Sequence, residues 1–325
     1  MQHFTSVTDV QDIHALIQAA QDFKTQPLLQ QSPGMGKKIG LLFLNPSLRT
    51  RVSTQLAARQ LGMEVMVMNM DKEGWALEFQ EGAIMNGTTV EHIKDAAPVL
   101  GQYFDVIGIR TFPGLVDREK DYSEQVLQQL IRYAGIPVLS LESATLHPLQ
   151  SLADLITMTE VMQSAGWLGK RKPKIVLTWA PHIKPLPQCV ANSFAEWVNA
   201  WGIGDLVITH PEGYELKEQF TRGAHITHDQ QEALQDADFV YVKNWSSYLE
   251  YGKVLETNSS WMLNKSKWQR TRQAGVMHCL PVRRNVELSD EILDAPFSLV
   301  TRQAANRVWS AQAVISSLIR NSSAG

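Results

Sequence analysis

Apolar positions recur along this chain at two spacings, and the alternation between them outlines a fold. Short apolar runs bounded by turn residues predict buried strands at 38–45 (KIGLLFLN), 64–68, 106–110, 137–141, 174–179 (KIVLTW), 205–209, 239–243 and 276–279. Helical spacing predicts a helix at 10–23, with Val10, Ile13, Leu16, Ile17 and Ala20 on one face and Thr8 and Asp9 near its cap. A second helix starts at Ser47, with Val52, Leu56 and Ala57 on its apolar side, and others follow at 92–102, 124–134, 152–162, 193–201, 229–234 and 306–320. Residues 71–89 carry several glycines and little periodicity and read as one long loop, of the kind that is usually functional or disordered. Strand–helix alternation in both halves predicts an α/β protein of two domains, each with a parallel sheet flanked by helices. The halves join near Ser143–Pro148, where a ligand cleft is expected at the carboxyl ends of the strands.

Composition narrows the class. The 325 residues exceed one ordinary core and suit two domains; 44% hydrophobic and 19% charged residues describe a soluble globular chain. A net charge of -3 argues against a dedicated nucleic-acid binder, and no apolar run approaches the ~20 residues that span a bilayer. The first residues carry Asp9 and Asp12 and no basic stretch before an apolar run, so no signal peptide is read. Cys189 and Cys279 are too few for a disulfide framework, which makes a reducing cytoplasm the default compartment.

The chemistry concentrates first at Asn45-Pro46-Ser47-Leu48-Arg49-Thr50-Arg51, between a strand and a helix. A helix N-terminus offers unpaired N–H groups and a positive dipole end. Ser47 and Thr50 add hydroxyls, and Arg49 and Arg51 add guanidinium groups suited to phosphate. The plain alternative is a capped helix with solvated arginines. No Gly-x-Gly-x-x-Gly follows a strand, which removes a dinucleotide-binding dehydrogenase.

Four ordered motifs then carry a resemblance: Ser47-Leu48-Arg49-Thr50-Arg51, His147-Pro148-Leu149-Gln150 with Leu152-Ala153-Asp154-Leu155, His278-Cys279-Leu280-Pro281, and Ala305-Asn306-Arg307 opening the last helix. Together the chain resembles the aspartate and ornithine carbamoyltransferase family. The resemblance implies a carbamoyl-phosphate-binding domain at 1–145, completed by a terminal helix at 306–325, and an acceptor-binding domain at 146–305. It makes Ser47, Leu48, Arg49 and Thr50 a phosphate cradle. Arg110 would bridge phosphate and carbonyl oxygen, His147 and Gln150 would hold the carbamoyl end, and Arg307 would reach the same ligand. It further implies a homotrimer in which Trp75 and Val90 are lent to a neighbouring subunit, a knot through the Pro181–Pro187 loop, and no metal or redox cofactor. Plain alternatives are a hinge role for His147, a cap for Arg307 and a loop anchor within its own subunit for Trp75.

The acceptor follows from departures within the family. Ornithine enzymes usually carry Asp-x-x-x-Ser-Met-Gly where this chain has Val242-Lys243-Asn244-Trp245-Ser246-Ser247, and aspartate enzymes usually carry His-Pro-Leu-Pro where it has His278-Cys279-Leu280-Pro281. The chain resembles the branch acting on N-acylated ornithine, through Trp179-Ala180-Pro181-His182, Lys243-Asn244-Trp245 and His278 to Asn285. Lys243 and Arg283, with His182 and Glu142 alongside, would hold an acylated ornithine that keeps its carboxylate. Cys279 and Leu280 would act on the acceptor amine through backbone carbonyls, with the Cys279 thiol not required as a nucleophile. Arg284 reads as a surface charge. Before Glu91-His92, acetyl enzymes resemble one another in a glutamate and succinyl enzymes in a proline; this chain has Val90. The reading favours N-succinylornithine, with N-acetylornithine as the alternative within the branch and a catalytically inactive phosphometabolite-binding protein as the alternative outside enzymes.

Overall fold

In the computed structural model, which describes residues 1–28, 32–70 and 75–321, the chain divides into two compact units. One comprises Met1–Pro113, Glu119–Leu149 and Arg307–Gly325; the other comprises Gly114–Arg118 and Gln150–Asn306. The first expected loop residues, 71–74, and the last four of the expected terminal helix region lie outside the described residues.

The first unit contains β1 (Lys38–Phe43), β2 (Glu64–Asn69), the two-residue strands β3 (Leu77–Glu78) and β4 (Glu91–His92), β5 (Val106–Arg110) and β6 (Val138–Glu142). Four of these form a parallel sheet ordered β2-β1-β5-β6. Every residue of β5 and β6 is buried, the pattern of strands covered on both faces. Leu42, Ile107, Ile109 and Val138 pack with Ile93 and Ala97 of helix Ile93–Tyr103 and with Leu127 and Leu130 of helix Gln125–Ala134. That second helix stops at Gly135, whose φ of 68° provides the left-handed turn that ends many helices.

Three expectations are corrected in local detail. The N-terminal helix runs Ile13–Thr25, because the Asp12 carboxylate accepts the Ala15 N–H at 2.9 Å and caps it there. Val10 lies outside it, and Val7–Asp9 forms its own 3₁₀ turn. Helix Leu48–Gln60 buries Thr50, Ser53, Thr54, Ala57 and Ala58, while Val52 and Leu56 face outward at 54% and 45% exposure. Its inner face is thus chosen by small side chains that permit close approach to β2, not by the largest apolar ones. The terminal helix starts at Val300, so Asn306 and Arg307 lie inside it rather than at its opening.

The second unit contains β7 (Lys174–Trp179), β8 (Asp205–Thr209), β9 (His225–Thr227), β10 (Phe239–Lys243) and β11 (Gly275–Met277), all parallel in the order β11-β10-β7-β8-β9. The edge strand β9, too short to show a period, was absent from the pattern reading. Val176, Val240, Val242 and Val276 meet Leu234, Leu263, Leu288 and Ile292 in one core. Helix Pro148–Ser164 opens on proline, whose missing N–H costs nothing at a helix start. Helix Cys189–Trp201 begins before the expected Ser193, and Cys189, Val190, Ala191, Asn192 and Ser193 are all buried in it. Because all strands of this sheet point one way, Ala180–His182, His210, Asn244 and His278 emerge at the same edge, the usual place for ligands in such sheets. Among the described residues, no helix is long and apolar enough to cross a membrane.

Candidate active site

The first unit gathers Thr50, Arg110, Glu142, His147 and Arg307, all buried. Ser47 is the N-cap of helix Leu48–Gln60 and makes no side-chain bond to its own helix, which leaves first-turn N–H groups free of a side-chain cap. Arg110 ends β5. Its Nη1 donates to the Asn45 and Pro46 carbonyls at 3.2 and 3.1 Å, so it props the turn that delivers Ser47. Its Nε and Nη2 approach Glu142 Oε2 at 2.9 and 2.7 Å. Glu142, an expected acceptor-binding residue, pairs with Arg110 within the first unit. Arg307 Nη2 donates to Thr50 Oγ1 at 2.6 Å, an interaction of a helix-interior residue, which removes the capping role. Arg51 bonds Asn69 and lies over the Phe43 ring, 5.2 Å from its centroid, so its guanidinium is engaged away from the cradle. The Arg49 Nε is buried without a hydrogen-bond partner among the described residues.

Electrostatics assign the His147 tautomer. Arg307 Nη2 lies 3.4 Å from His147 Nε2. A guanidinium only donates, so Nε2 accepts and the proton belongs on Nδ1. That Nδ1 is buried and has no partner among the described residues. Burial lowers the His147 pKa to about 3; Glu142 opposes this, and Arg307, Arg110 and Arg49 reinforce it. At pH 7 the imidazole is neutral and offers one N–H. Burial alone would raise the Glu142 carboxyl, yet its charged neighbours hold it below the ordinary range. Since His147 is uncharged there, we assign this effect to Arg110 and Arg307.

A small ribbon positions Trp75 and Val90. The β3–β4 register pairs Leu77 with Glu91 and Glu78 with His92, and Val90 N–H donates to the Ala76 carbonyl at 2.7 Å. Trp75 Nε1 donates to Glu91 Oε2 at 2.8 Å. Both side chains stay half exposed, Trp75 at 49% and Val90 at 48%. Leu48, at 74%, is exposed as well.

The second unit holds the remaining candidates in two groups. In the first, Gln150 Nε2 and Gln303 Nε2 both donate to Asp154 Oδ1, at 2.8 and 2.7 Å, and Gln303 Oε1 accepts the His278 N–H at 3.0 Å. Gln150 Oε1 is buried and has no partner among the described residues. In the second, Arg283 Nε donates to His182 Nε2 at 3.1 Å, while His182 Nδ1 donates to the Lys184 carbonyl at 2.8 Å. Burial lowers the His182 pKa, consistent with this neutral tautomer. Lys243, the last residue of β10, is buried at 7% exposure. Leu280 adopts a left-handed φ of 58° before a cis Leu280–Pro281 peptide, and Cys279 is buried. Arg284 pairs with Asp290 and Asp294 on the surface, as its plain reading holds.

Two residues escaped the sequence reading as organisers. Glu287 accepts the Arg283 N–H at 2.8 Å and contacts His278 Nε2 at 3.3 Å. Burial would raise it, but the His278 bond and the charges of His278 and Lys243 bring it to about 2. Asp154 was visible in its motif but not as a hub. A lone acidic residue has no pattern that marks it; only its neighbours do.

Comparison with known proteins agrees with this geometry. The family model for the aspartate/ornithine carbamoyltransferase carbamoyl-P binding domain matches residues 2–160, and that for the Asp/Orn binding domain matches residues 188–318. The chain is 46% identical over 321 residues to N-succinylornithine carbamoyltransferase of Bacteroides thetaiotaomicron, covering 98% of this chain and 99% of the relative. It is 34% identical over 341 residues to N-acetylornithine carbamoyltransferase of Xanthomonas campestris pv. campestris, with 99% of each covered. A solved glutamate-to-valine variant of N-acetyl-L-ornithine transcarbamylase, complexed with carbamyl phosphate and N-succinyl-L-norvaline, superposes with a TM-score of 0.90 at 34% identity, covering 98% of this chain and 100% of that one. With both domain models matched and near-complete relatives well above 30% identity, the chain belongs to the aspartate/ornithine carbamoyltransferase family.

Proposed function

We propose that this enzyme transfers the carbamoyl group of carbamoyl phosphate to the δ-amine of N2-succinyl-L-ornithine, giving N-succinylcitrulline and phosphate, as a step of arginine biosynthesis. The observation that carries the acyl assignment is the identity gap: 46% to a relative named for the succinyl substrate against 34% to one named for the acetyl substrate. Val90 points the same way. A glutamate there would repel a succinyl carboxylate by about 1 kcal/mol in water and about 4 kcal/mol at an effective dielectric near 20 and ~4 Å. Valine removes that repulsion, and the solved relative complexed with N-succinyl-L-norvaline is itself a glutamate-to-valine variant.

The neutral δ-amine attacks the carbamoyl carbon, the carbon–oxygen bond to phosphate breaks, and the departing phosphate takes the amine proton. An alkylamine of pKa near 10.4 is neutral in about one molecule in a few thousand at pH 7, so the site offsets roughly 4–5 kcal/mol. Desolvation and the Cys279 and Leu280 carbonyls favour the neutral amine. The unpartnered His147 Nδ1–H, with Arg110 and Arg307, stabilises the developing oxyanion. Ser47, Leu48, Arg49 and Thr50 hold the phosphate, and Gln150 takes part at the carbamoyl end. Lys243, Arg283 and His182 hold the acceptor, and Glu142 keeps Arg110 in place. None of these steps calls for a metal or redox cofactor.

The working form is a homotrimer in which half-exposed Trp75 and Val90 complete a neighbour's site. The outward Leu48, Val52 and Leu56 support a covered face there. The compartment is the cytoplasm, in keeping with two free buried thiols. Initial rates with carbamoyl phosphate and either N-succinylornithine or N-acetylornithine test the reading. A tenfold or greater preference for the acetyl substrate overturns it in favour of that alternative, and sedimentation at other than three chain masses overturns the trimer.

A further inference from the structure

Outside the groups used in the reaction, one cluster of side chains among the described residues has ligand geometry. The parallel register of β8 and β9 pairs Thr209 with Thr227. The next residues, His210 and His228, therefore emerge side by side at the carboxyl edge, with ring centroids 5.1 Å apart. A turn then brings Glu215 back to them. Gly213 supplies its left-handed φ of 85°, and the Tyr214 N–H closes it on the Pro211 carbonyl at 3.3 Å. Tyr214 is buried and pins the turn: its hydroxyl accepts the Leu255 and Glu256 N–H groups at 2.7 and 2.9 Å, and its carbonyl accepts Trp245 Nε1 at 2.8 Å. One ligating atom from each of His210, Glu215 and His228 lies within 4.8 Å of the other two.

The hydrogen bonds fix both histidines in the ligating tautomer. His210 Nδ1 lies 2.8 Å from the Pro211 carbonyl, and His228 Nδ1 lies 2.9 Å from the His210 carbonyl. A carbonyl only accepts, so each Nδ1 carries the proton and each Nε2 keeps its lone pair. His210 is fully buried, and its Nε2 has no hydrogen-bond partner among the described residues.

We infer that His210, Glu215 and His228 form a binding site for one divalent transition-metal ion, best matched by zinc. Two imidazoles and one carboxylate with an open fourth position are a zinc donor set. Donors at about 2.0–2.1 Å from a tetrahedral ion stand about 3.4 Å apart, so the widest pair must close by somewhat over 1 Å. Glu215, on a flexible side chain, and His228, which is exposed, are the residues able to move. The bound ion would clip the 211–216 turn to the end of β9.

The test uses the full-length chain without a histidine tag, stripped with a chelator and titrated with zinc alone by calorimetry. Cobalt(II) alone serves as a second probe, through the visible absorption of its tetrahedral complexes. We expect one zinc per chain, a tetrahedral cobalt spectrum, and a thermal midpoint that rises with zinc. His228→Ala and Glu215→Gln, both at positions not fully buried, should each weaken zinc binding by about tenfold or more and abolish the thermal shift while keeping the native circular dichroism. The absence of saturable zinc uptake, or equal uptake in the wild type and both folded variants, overturns the assignment.

Discussion

Arg110 and Glu142 stand opposite one another at the carboxyl ends of β5 and β6, with two guanidinium nitrogens within 2.9 Å of one carboxylate oxygen. They meet because the strand register slips: Ile109 pairs with Ser140, but the next residue, Arg110, pairs with Glu142. Without the irregularity Arg110 would oppose Leu141. Removing one partner of such a buried pair leaves an uncompensated charge and costs about 3–5 kcal/mol. Glu142→Gln and Arg110→Met should each lower stability to chemical denaturation by that order. The double variant should lose less than the sum of the two, and additive losses would show that the pair contributes no coupling.

Acid should destabilise this fold through three groups acting in the same direction. Glu287 and Glu142 have lowered carboxyl pKa values, so their contribution is full above the unfolded value and is lost as pH falls through the folded one. For Glu287, from 4.5 to about 2, that is on the order of 3 kcal/mol, lost across that window. His147, lowered from 6.5 to about 3, binds a proton in the unfolded chain before the native one does, so stability also falls with pH between those values. Denaturant melts at pH 7.5, 6, 5, 4 and 3 should show this slope, the carboxylates entering below pH 5, and a His147→Gln variant should reduce it between pH 6.5 and 5.

His147 should matter to rate more than to binding. Its neutral Nδ1–H has no partner among the described residues, and under the proposed mechanism it donates to the substrate oxygen. Replacing it by alanine should lower kcat by about 10²–10³, the usual effect of losing one oxyanion donor. Carbamoyl phosphate affinity, measured by calorimetry, should change much less; a loss confined to affinity would assign His147 to ground-state binding.

Lys243 should report on the acceptor alone. It is buried in the second unit, and its charge acts on Glu287. Lys243→Met should raise KM for the acylornithine by about 10–100-fold, the effect of losing a charged hydrogen bond. The dissociation constant of carbamoyl phosphate should stay within a factor of two.

Val90→Glu should reverse acceptor choice. The introduced carboxylate should depress kcat/KM for N-succinylornithine by tenfold or more, while N-acetylornithine, lacking the second carboxylate, loses little. A uniform loss with both acceptors would sink the assignment of Val90 to acyl selection. Because Val90 is half exposed, the variant should fold as the wild type does.

The amino-acid sequence by itself determined the alternation of strands and helices, and hence two parallel sheets, because burial on both faces leaves long apolar runs in the chain. It also marked the family motifs, including Ser47–Thr50 at a helix start, since a cap and a strand end are local features. It misjudged helix Leu48–Gln60, where small side chains rather than Val52 and Leu56 turn inward, because close packing is a property of the neighbouring sheet. Tertiary structure alone decided what the carboxylates do. Glu142 is an arginine partner, while Asp154 and Glu287 anchor buried networks, because each is placed by strands and helices distant in sequence. The same holds for the opening relationship. The register of parallel neighbours is set across long crossovers by packing, so no spacing in the chain announces that Arg110 will face Glu142 rather than Leu141.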